Sequence, residues 1–379
     1  MSAPPAVRNG SSGGLVALIR AHRSISVLVG WALVGALLPF IVLVPPFSTF
    51  QAQSLWIGGF ANSGVFILLA LGLNIVVGLA GLLDLGYAAF FAIGSYTYAF
   101  GASSFTGLHV PFWPMLLVGA FAAATFGILL GAPTLRLRGD YLAIVTLGFG
   151  EIVPAVFLNA DTYTRGTNGI GGVAQPALPF LQFNFSDPVP FYVTMVAILA
   201  VVMVFVYRLQ GSRLGRAWMA VREDELAAAS SGVNTVTTKL LAFALGASTA
   251  GLAGVFNASK LGIVSPDQFG FAVSFTVLAM VVLGGMGNAW GVAIGAFTLY
   301  EIQSVVLKGL NQFFQQVQVP FLDTIDFVQY QFLLYGLALV AMMLLRPEGL
   351  FPSRRRQREL HQVSEDVADV PPPTAALGD

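Results

Sequence analysis

Ionisable side chains are scarce in the apolar stretches of this chain, and three of them could do chemistry there. Glu151 lies about twelve residues into the apolar run 139–159, and Glu301 about thirteen into the run 288–307. Asp84 stands at the junction of the runs 55–80 and 84–104. A charge at the centre of a bilayer costs about 2.5–3.5 kcal/mol on insertion scales, so such residues face protein or a water-filled path. One reading makes them a polar lining or a gate. The other makes them buried groups hydrogen-bonded between helices, and for Asp84 a helix cap. The segment 74–94, NIVVGLAGLLDLGYAAFFAIG, sets glycines at 78, 81, 86 and 94 around Asp84, with Asn74 and Tyr87 as further polar members. This predicts a helix that breaks and restarts, with Asp84 capping the exposed amides of the second part. A second candidate break is LGGMGNAWG, 283–291, with Asn288 as its polar residue. Discontinuous helices in corresponding places mark solute sites in membrane proteins. Glycine-rich runs are also ordinary helix-packing surfaces. The fragments AIGSYTY (92–98) and AIGAFTLY (293–300) are alike, but too short to establish a repeat.

Several chemistries are excluded. The chain has no cysteine, so disulfides, thiolate catalysis and thiolate metal sites are absent. His22, His109 and His361 have no metal-ligand spacing. No segment fits G-x-x-x-x-G-K-[ST], and no lysine follows a glycine. If ATP powers this protein, a separate chain must bind the nucleotide and its Mg and hydrolyse it. No catalytic constellation appears, so the expectation is a protein that is no enzyme and carries no cofactor or metal of its own.

The elements that must position these residues are membrane helices. Hydrophobic residues make up 56% of the 379, charged residues 9%, and mean hydropathy is +0.79. Soluble domains are about 25% charged. At roughly 20 apolar residues per crossing, ten spans are predicted: 25–44, 55–80, 84–104, 112–132, 139–159, 190–207, 239–262, 270–287, 288–307 and 329–345. The first is too long in its apolar region for a signal peptide and lacks a small-residue cleavage site. Ten spans put both termini on one side. That side then carries 15 of the 18 Lys and Arg, and only Arg165, Lys260 and Lys308 lie on the other. The positive-inside rule makes both termini cytoplasmic. The domain reading is an N-terminal extension over 1–24, a transmembrane domain over 25–350 and a tail over 351–379. The tail starts with a basic run beside lipid and continues rich in Pro and acids, a disordered composition. The Gly-, Pro- and Asn-rich stretch near 160–189 is expected to cap the outer face.

One cytoplasmic loop, 208–239, has the composition of a soluble helix: RLQGSRLGRAWMAVREDELAAASSGVNTVTTK. An amphipathic helix lying on the bilayer is one reading. Three consecutive acids, Glu223 to Glu225, suit an anionic membrane poorly. The other reading is a helix presented to a partner protein.

The chain resembles the LivM-like permease subunits of bacterial ABC importers for branched-chain and other neutral amino acids. The resemblance rests on GLNIVVGLAGLLDLGYAAFFAIGSY (72–96), LRLRGDYLAIVTLGFGEI (135–152), GTNGI (166–170), GRAWMAVREDELAAASSGV (215–233), VLGGMGNAWGVAIGA (282–296) and RPEGLF (346–351). These motifs cover most of the membrane region in the family's order.

The resemblance implies an all-α polytopic protein of the bacterial cell membrane, in a heteromeric importer. Its expected partners are a second related permease, two cytoplasmic ATPases and an extracytoplasmic substrate-binding protein. It makes 215–233 the coupling helix that docks the ATPase. Gly215 and Gly232 would bound it, Arg216, Arg222, Glu223, Asp224 and Glu225 would supply polar contacts, and Trp218 or Met219 an apolar anchor. Asn74, Asp84, Tyr87, Glu151, Asn288 and Glu301 are the candidates for the path or gate. Relatives that carry urea or short amides remain an alternative. An ion-coupled secondary transporter has only Asp84, Glu151 and Glu301 as coupling groups, and leaves the 208–239 helix without a role. An integral membrane enzyme lacks a catalytic set.

Overall fold

The computed structural model describes residues 30–31, 34–40, 53–134, 137, 139–176, 183, 187–317, 326–346 and 349–351. The N-terminal extension, most of the first predicted span and nearly all of the tail lie outside the described residues. Within them the chain is helical apart from loops and one pair of two-residue strands. Besides the helical residues 34–40 and a single turn, Asp161–Thr164, the α-helices in chain order are α1 (Gln53–Leu73), α2 (Ala88–Ala102), α3 (Phe112–Thr134), α4 (Asp140–Asn159), α5 (Val189–Gln210), α6 (Arg213–Glu223), α7 (Glu225–Ser230), α8 (Thr235–Leu261), α9 (Phe271–Gly284), α10 (Ala289–Glu301), α11 (Leu307–Val317) and α12 (Gln331–Leu345). Seven described helical stretches are long and apolar enough to cross a membrane: Trp56–Leu79, Phe112–Thr134, Asp140–Asn159, Val189–Gln210, Thr235–Leu261, Pro266–Gly284 and Ala289–Gln312. The chain is therefore a multi-pass membrane protein.

Two predicted spans are shorter than hydropathy alone suggests. Helix α2 has 15 residues, about 22 Å at 1.5 Å per residue, against a hydrocarbon core of about 30 Å. Its predicted first residues, from Asp84, instead form an irregular stretch that is largely buried. Such backbone is tolerated at membrane depth only where protein covers it. Helix α12 also has 15 residues.

Helix α1 sits at the centre, with Leu68, Leu69, Ala70, Leu71 and Leu73 fully buried, against α5, α8, α9 and α10. Helix α8 packs on α1, α2 and α3. Its alanines and glycines let backbones meet: a Cβ on Gly94 of α2 would stand 2.6 Å from the Cα of Gly251. Packing of small residues replaces the hydrophobic effect as the source of helix association where lipid is the solvent. The described part of the first predicted span joins this bundle. Trp31 stacks on Trp290 at 5.5 Å, and the Tyr192 hydroxyl donates to the carbonyl of Gly35.

The Gly-rich connection after α4 folds over one end of the bundle as far as it is described. Strand β1 (Ile170–Gly171) pairs antiparallel with β2 (Ile263–Val264). Its neighbours tie down α2: Ala174 N–H donates to Ala102 O at 2.8 Å and Tyr98 donates to Ala174 O at 2.8 Å.

Candidate functional site

Two breaks in the helices meet, and their polar side chains hold backbone rather than each other. At the first, α1 widens into a π turn over Asn74–Leu79, where β-branched Ile75, Val76 and Val77 precede Gly78. Wide turns of this kind displace one residue from the helical ladder. Here it is marked by the fully buried Asn74, whose Oδ1 accepts from Gly287 N–H at 2.8 Å. Gly287 belongs to the second break, so one amide joins two segments 213 residues apart. Gly81, at φ 71°, then turns the chain away.

The restart of α2 is assembled from remote donors and acceptors. Asp84 Oδ1 accepts from Gly86 N–H at 2.9 Å, within the turn and short of the helix itself. The amide of Ala88, first residue of α2, goes to Ser274 Oγ at 2.9 Å, and that of Leu85 to Thr146 Oγ1 at 3.1 Å. Tyr87 donates to Gly246 O at 2.7 Å and lies 3.1 Å from Thr249 Oγ1. Asp84 thus bonds no amide of α2, contrary to the expected cap: Ser274 takes that place from a remote helix, while Asp84 and Thr146 hold the turn before it. Asp84 is 1% exposed and its Oδ2 has no partner among the described residues. It borders a cavity of about 400 Å³ whose other walls include Phe90, Leu130, Val145, Phe149 and Phe243.

The second break is the tight turn between α9 and α10. Gly285 and Gly287 take φ of 109° and 82°, and Asn288 caps α10 by accepting from Trp290 N–H at 3.2 Å. The Asn288 amide also donates to Phe351 O at 2.9 Å, while Leu350 N–H donates to Leu283 O at 2.9 Å. The end of the RPEGLF motif therefore clasps this turn. Asn288 is occupied by backbone on both sides.

The polar segment after α5 is two short helices, where one was expected between Gly215 and Gly232. Ser212 caps α6 by accepting from Gly215 N–H, so that helix begins before Gly215. Asp224 ends it and caps α7, accepting from Leu226 and Ala227 N–H at 2.8 and 3.0 Å. Gly232, at φ 85°, makes the next turn, and Asn234 caps α8.

Much of the expected docking set faces the chain's own helices. Trp218 is fully buried and its indole N–H donates to Thr238 O at 2.7 Å. Its place is under α6 against the start of α8, and the exposed apolar side chain here is Leu226, 69% accessible. Gly215 is buried where a Cβ would stand 2.6 Å from Gln210 O. Glu225 pairs with Lys239 at 2.6 Å. Arg222 Nη1 donates to Gly78 O at 2.6 Å, inside the π turn, and the Arg222 stem fills the space beside Gly81. Arg216, which bonds Gly211 O, is exposed together with Arg213, Glu223 and Asp224.

The two span carboxylates differ. Glu301 is 8% exposed, beside Gly59 of α1, where α10 passes into a second π turn, Ile302–Val306; neither of its oxygens has a partner among the described residues. Glu151 is exposed in mid-α4. The structure does not bring them together with Asp84 into one cluster of ionisable groups. It adds Lys260, whose ammonium donates to Gly58 O at 3.0 Å and Asn62 Oδ1 at 2.5 Å on α1. In the sequence Lys260 is only one of the three basic residues on the outer side. The polar Asn62 within an apolar run is the signal that could have found this pair.

Residues 55–345 match the family described as branched-chain amino acid transport system, permease component. The chain is 44% identical to the high-affinity branched-chain amino acid transport system permease protein LivM of Escherichia coli (strain K12), over 78% of this chain and 70% of that one. It is 30% identical to the autoinducer 2 import system permease protein LsrC of Enterobacter sp. (strain 638), covering 73% and 76%. The LivH permease of the same E. coli strain is 28% identical, covering 64% and 81%. No solved structure matches the chain.

Proposed function

Because the chain belongs to the family of branched-chain amino acid transport system permease components, we propose that it is the transmembrane permease subunit of an ATP-driven importer of branched-chain amino acids. In this reading it forms half of the path, with a second permease of the same family. Two ATPase subunits act from the cytoplasm, and a binding protein delivers the amino acid from outside. The termini and the α6–α7 segment lie on the cytoplasmic side, as the distribution of Lys and Arg supports.

The observation that carries the mechanism is the anchoring of α6–α7. A segment built only to lie on lipid has no need of a buried tryptophan, a 2.6 Å ion pair and an arginine bonded into a π turn. Those contacts make α6 and α7 a rigid lever with Arg213, Arg216, Glu223 and Leu226 outward. A push from an ATPase on that face reaches Gly78 through Arg222. From there it reaches the second break through Asn74 and Gly287. Rigid-body movement of packed elements is an ordinary route for such switching.

The test is reconstitution. The chain is purified with the products of neighbouring genes, placed in liposomes, and assayed for ATP-dependent uptake of leucine, isoleucine and valine, with urea as a competitor. Binding-protein-dependent uptake that needs ATP supports the proposal. Ion-gradient uptake by the lone chain, unaffected by replacing Gly215 or Glu223, sinks it.

A further inference from the structure

Glu151 lies eleven residues after Asp140, the first of α4, and eight before Asn159, the last. That is about 17 Å along the helix at 1.5 Å per residue, near the middle of a crossing. The carboxylate is exposed and has no hydrogen-bond or ion-pair partner among the described residues. In the other described spans the exposed ionisable groups, Arg208, Asp267 and Lys308, lie toward the ends, as Asp140 does in α4. A charged group at that depth does not face hydrocarbon, so something other than lipid covers this side of α4.

The rest of the face has the character of a helix-packing surface. Tyr141, Ile144, Gly148, Glu151, Ile152 and Ala155 recur at helical spacing and are all exposed. A Cβ added to Gly148 would meet nothing within 4 Å, so another backbone can come close there. The opposite side of α4 is held firmly: Thr146 accepts from Leu85, Gly150 touches Gly86, and Phe157 stacks on Tyr96 with ring centroids 3.9 Å apart. The outward faces of α3 (Leu117, Phe121, Leu129) and α12 (Leu333, Leu337, Leu344) are apolar and suited to lipid.

Resting on the functional reading above, we propose that the Gly148–Glu151–Ala155 face of α4 is the seam with the second permease subunit. The fitting partner is a membrane helix with small residues at the contact and a hydrogen-bond donor at mid-depth for the Glu151 carboxylate. Two different permeases carrying the name of one E. coli transport system, LivM and LivH, both match this chain, which favours a related but distinct subunit over a second copy.

The test places a photo-crosslinking phenylalanine analogue singly at Ile152, Ala155, Phe121 and Leu337 in the complete importer in native membranes. Adducts of the combined mass of this chain and the second permease are expected from 152 and 155, at least tenfold above those from 121 and 337. Lipid adducts alone from all four positions, in a complex that still retains the second permease, overturn the proposal and leave the functional reading intact. An adduct between two copies of this chain overturns the choice of partner. Absence of any second permease from the active complex removes the functional reading, and this seam with it.

Discussion

Replacing Arg222 with alanine separates transmission from assembly. The guanidinium bonds Gly78 O at 2.6 Å, and its stem fills the space left by Gly81. A hydrogen bond with a charged donor contributes about 1.5–3 kcal/mol. Its loss shifts the equilibrium between latched and unlatched segment by about 12- to 140-fold. The lever itself should remain, because Trp218 and the Glu225–Lys239 pair still hold it. The expected outcome in the reconstituted importer is ATP hydrolysis within about twofold of normal, with amino acid taken up per ATP reduced at least tenfold. Arg222→Lys keeps a donor with different geometry and should fall between the two. A latch that only stabilised the fold would instead lower yield and ATP hydrolysis together. An unchanged uptake-to-ATP ratio in Arg222→Ala, in a complex of normal yield, would refute the proposed route from α6 to the π turn.

Three further outcomes follow from the same contacts. Asn74→Leu is close in size but leaves the Gly287 amide without its acceptor, a cost of about 1–3 kcal/mol; the thermal midpoint in detergent should fall, and a midpoint equal to wild type would argue against the bridge between the breaks. Trp218→Phe loses the bond to Thr238 O at about 1 kcal/mol, and Trp218→Ala also leaves a cavity, about 3–5 kcal/mol in all. Limited proteolysis of 211–234 should quicken in that order, and equal rates would contradict the buried placement. Gly94→Ala drives a methyl into Gly251, an overpacking cost of about 1–3 kcal/mol, whereas Gly148→Ala enters open space; the first should lower the thermal stability of the isolated chain and the second should not.

Hydropathy made the helical class legible, because unbroken apolar runs of about 20 residues suit a spanning helix and not the short, alternating strands of a barrel. It said less about where helices stop inside those runs. The break after Asn74 showed through its glycines and Asp84, yet the restart at Ala88 depends on Thr146, Ser274 and Gly246, which lie 61, 186 and 159 residues from their partners. No local pattern carries that information. The split of 211–234 was legible in principle: Ser212, Asp224 and Asn234 each precede a helix as cap residues do. Composition hid it, since the alanines and mixed charges suit one helix as well as two. Trp218 read as an anchor for a partner because a tryptophan in a polar loop is conspicuous. The fold turns it inward, between α6 and the start of α8.

Lipid offers backbone groups no partner, so every interruption of a membrane helix needs side chains to complete it. That demand accounts for the polar residues gathered at the two breaks. Ser274 and Thr146 are committed to amides at the first break, while Tyr87 and Asn288 tie the breaks to the carbonyls of Gly246 in α8 and of Phe351. Asn74 and Asp84 are committed with one atom and not the other: among the described residues the Asn74 Nδ2 and the Asp84 Oδ2 are buried with no hydrogen-bond partner, as are both oxygens of Glu301. Each of these three lies at or beside a π turn or a break. A hydrogen-bonding group left idle in one arrangement costs least to re-pair in another, whereas a fully bonded one resists movement. On the proposed route from α6 to the breaks, the groups to change partner are therefore Asn74, Asp84 and Glu301, with Asn288 and Tyr87 as the frame about which they move.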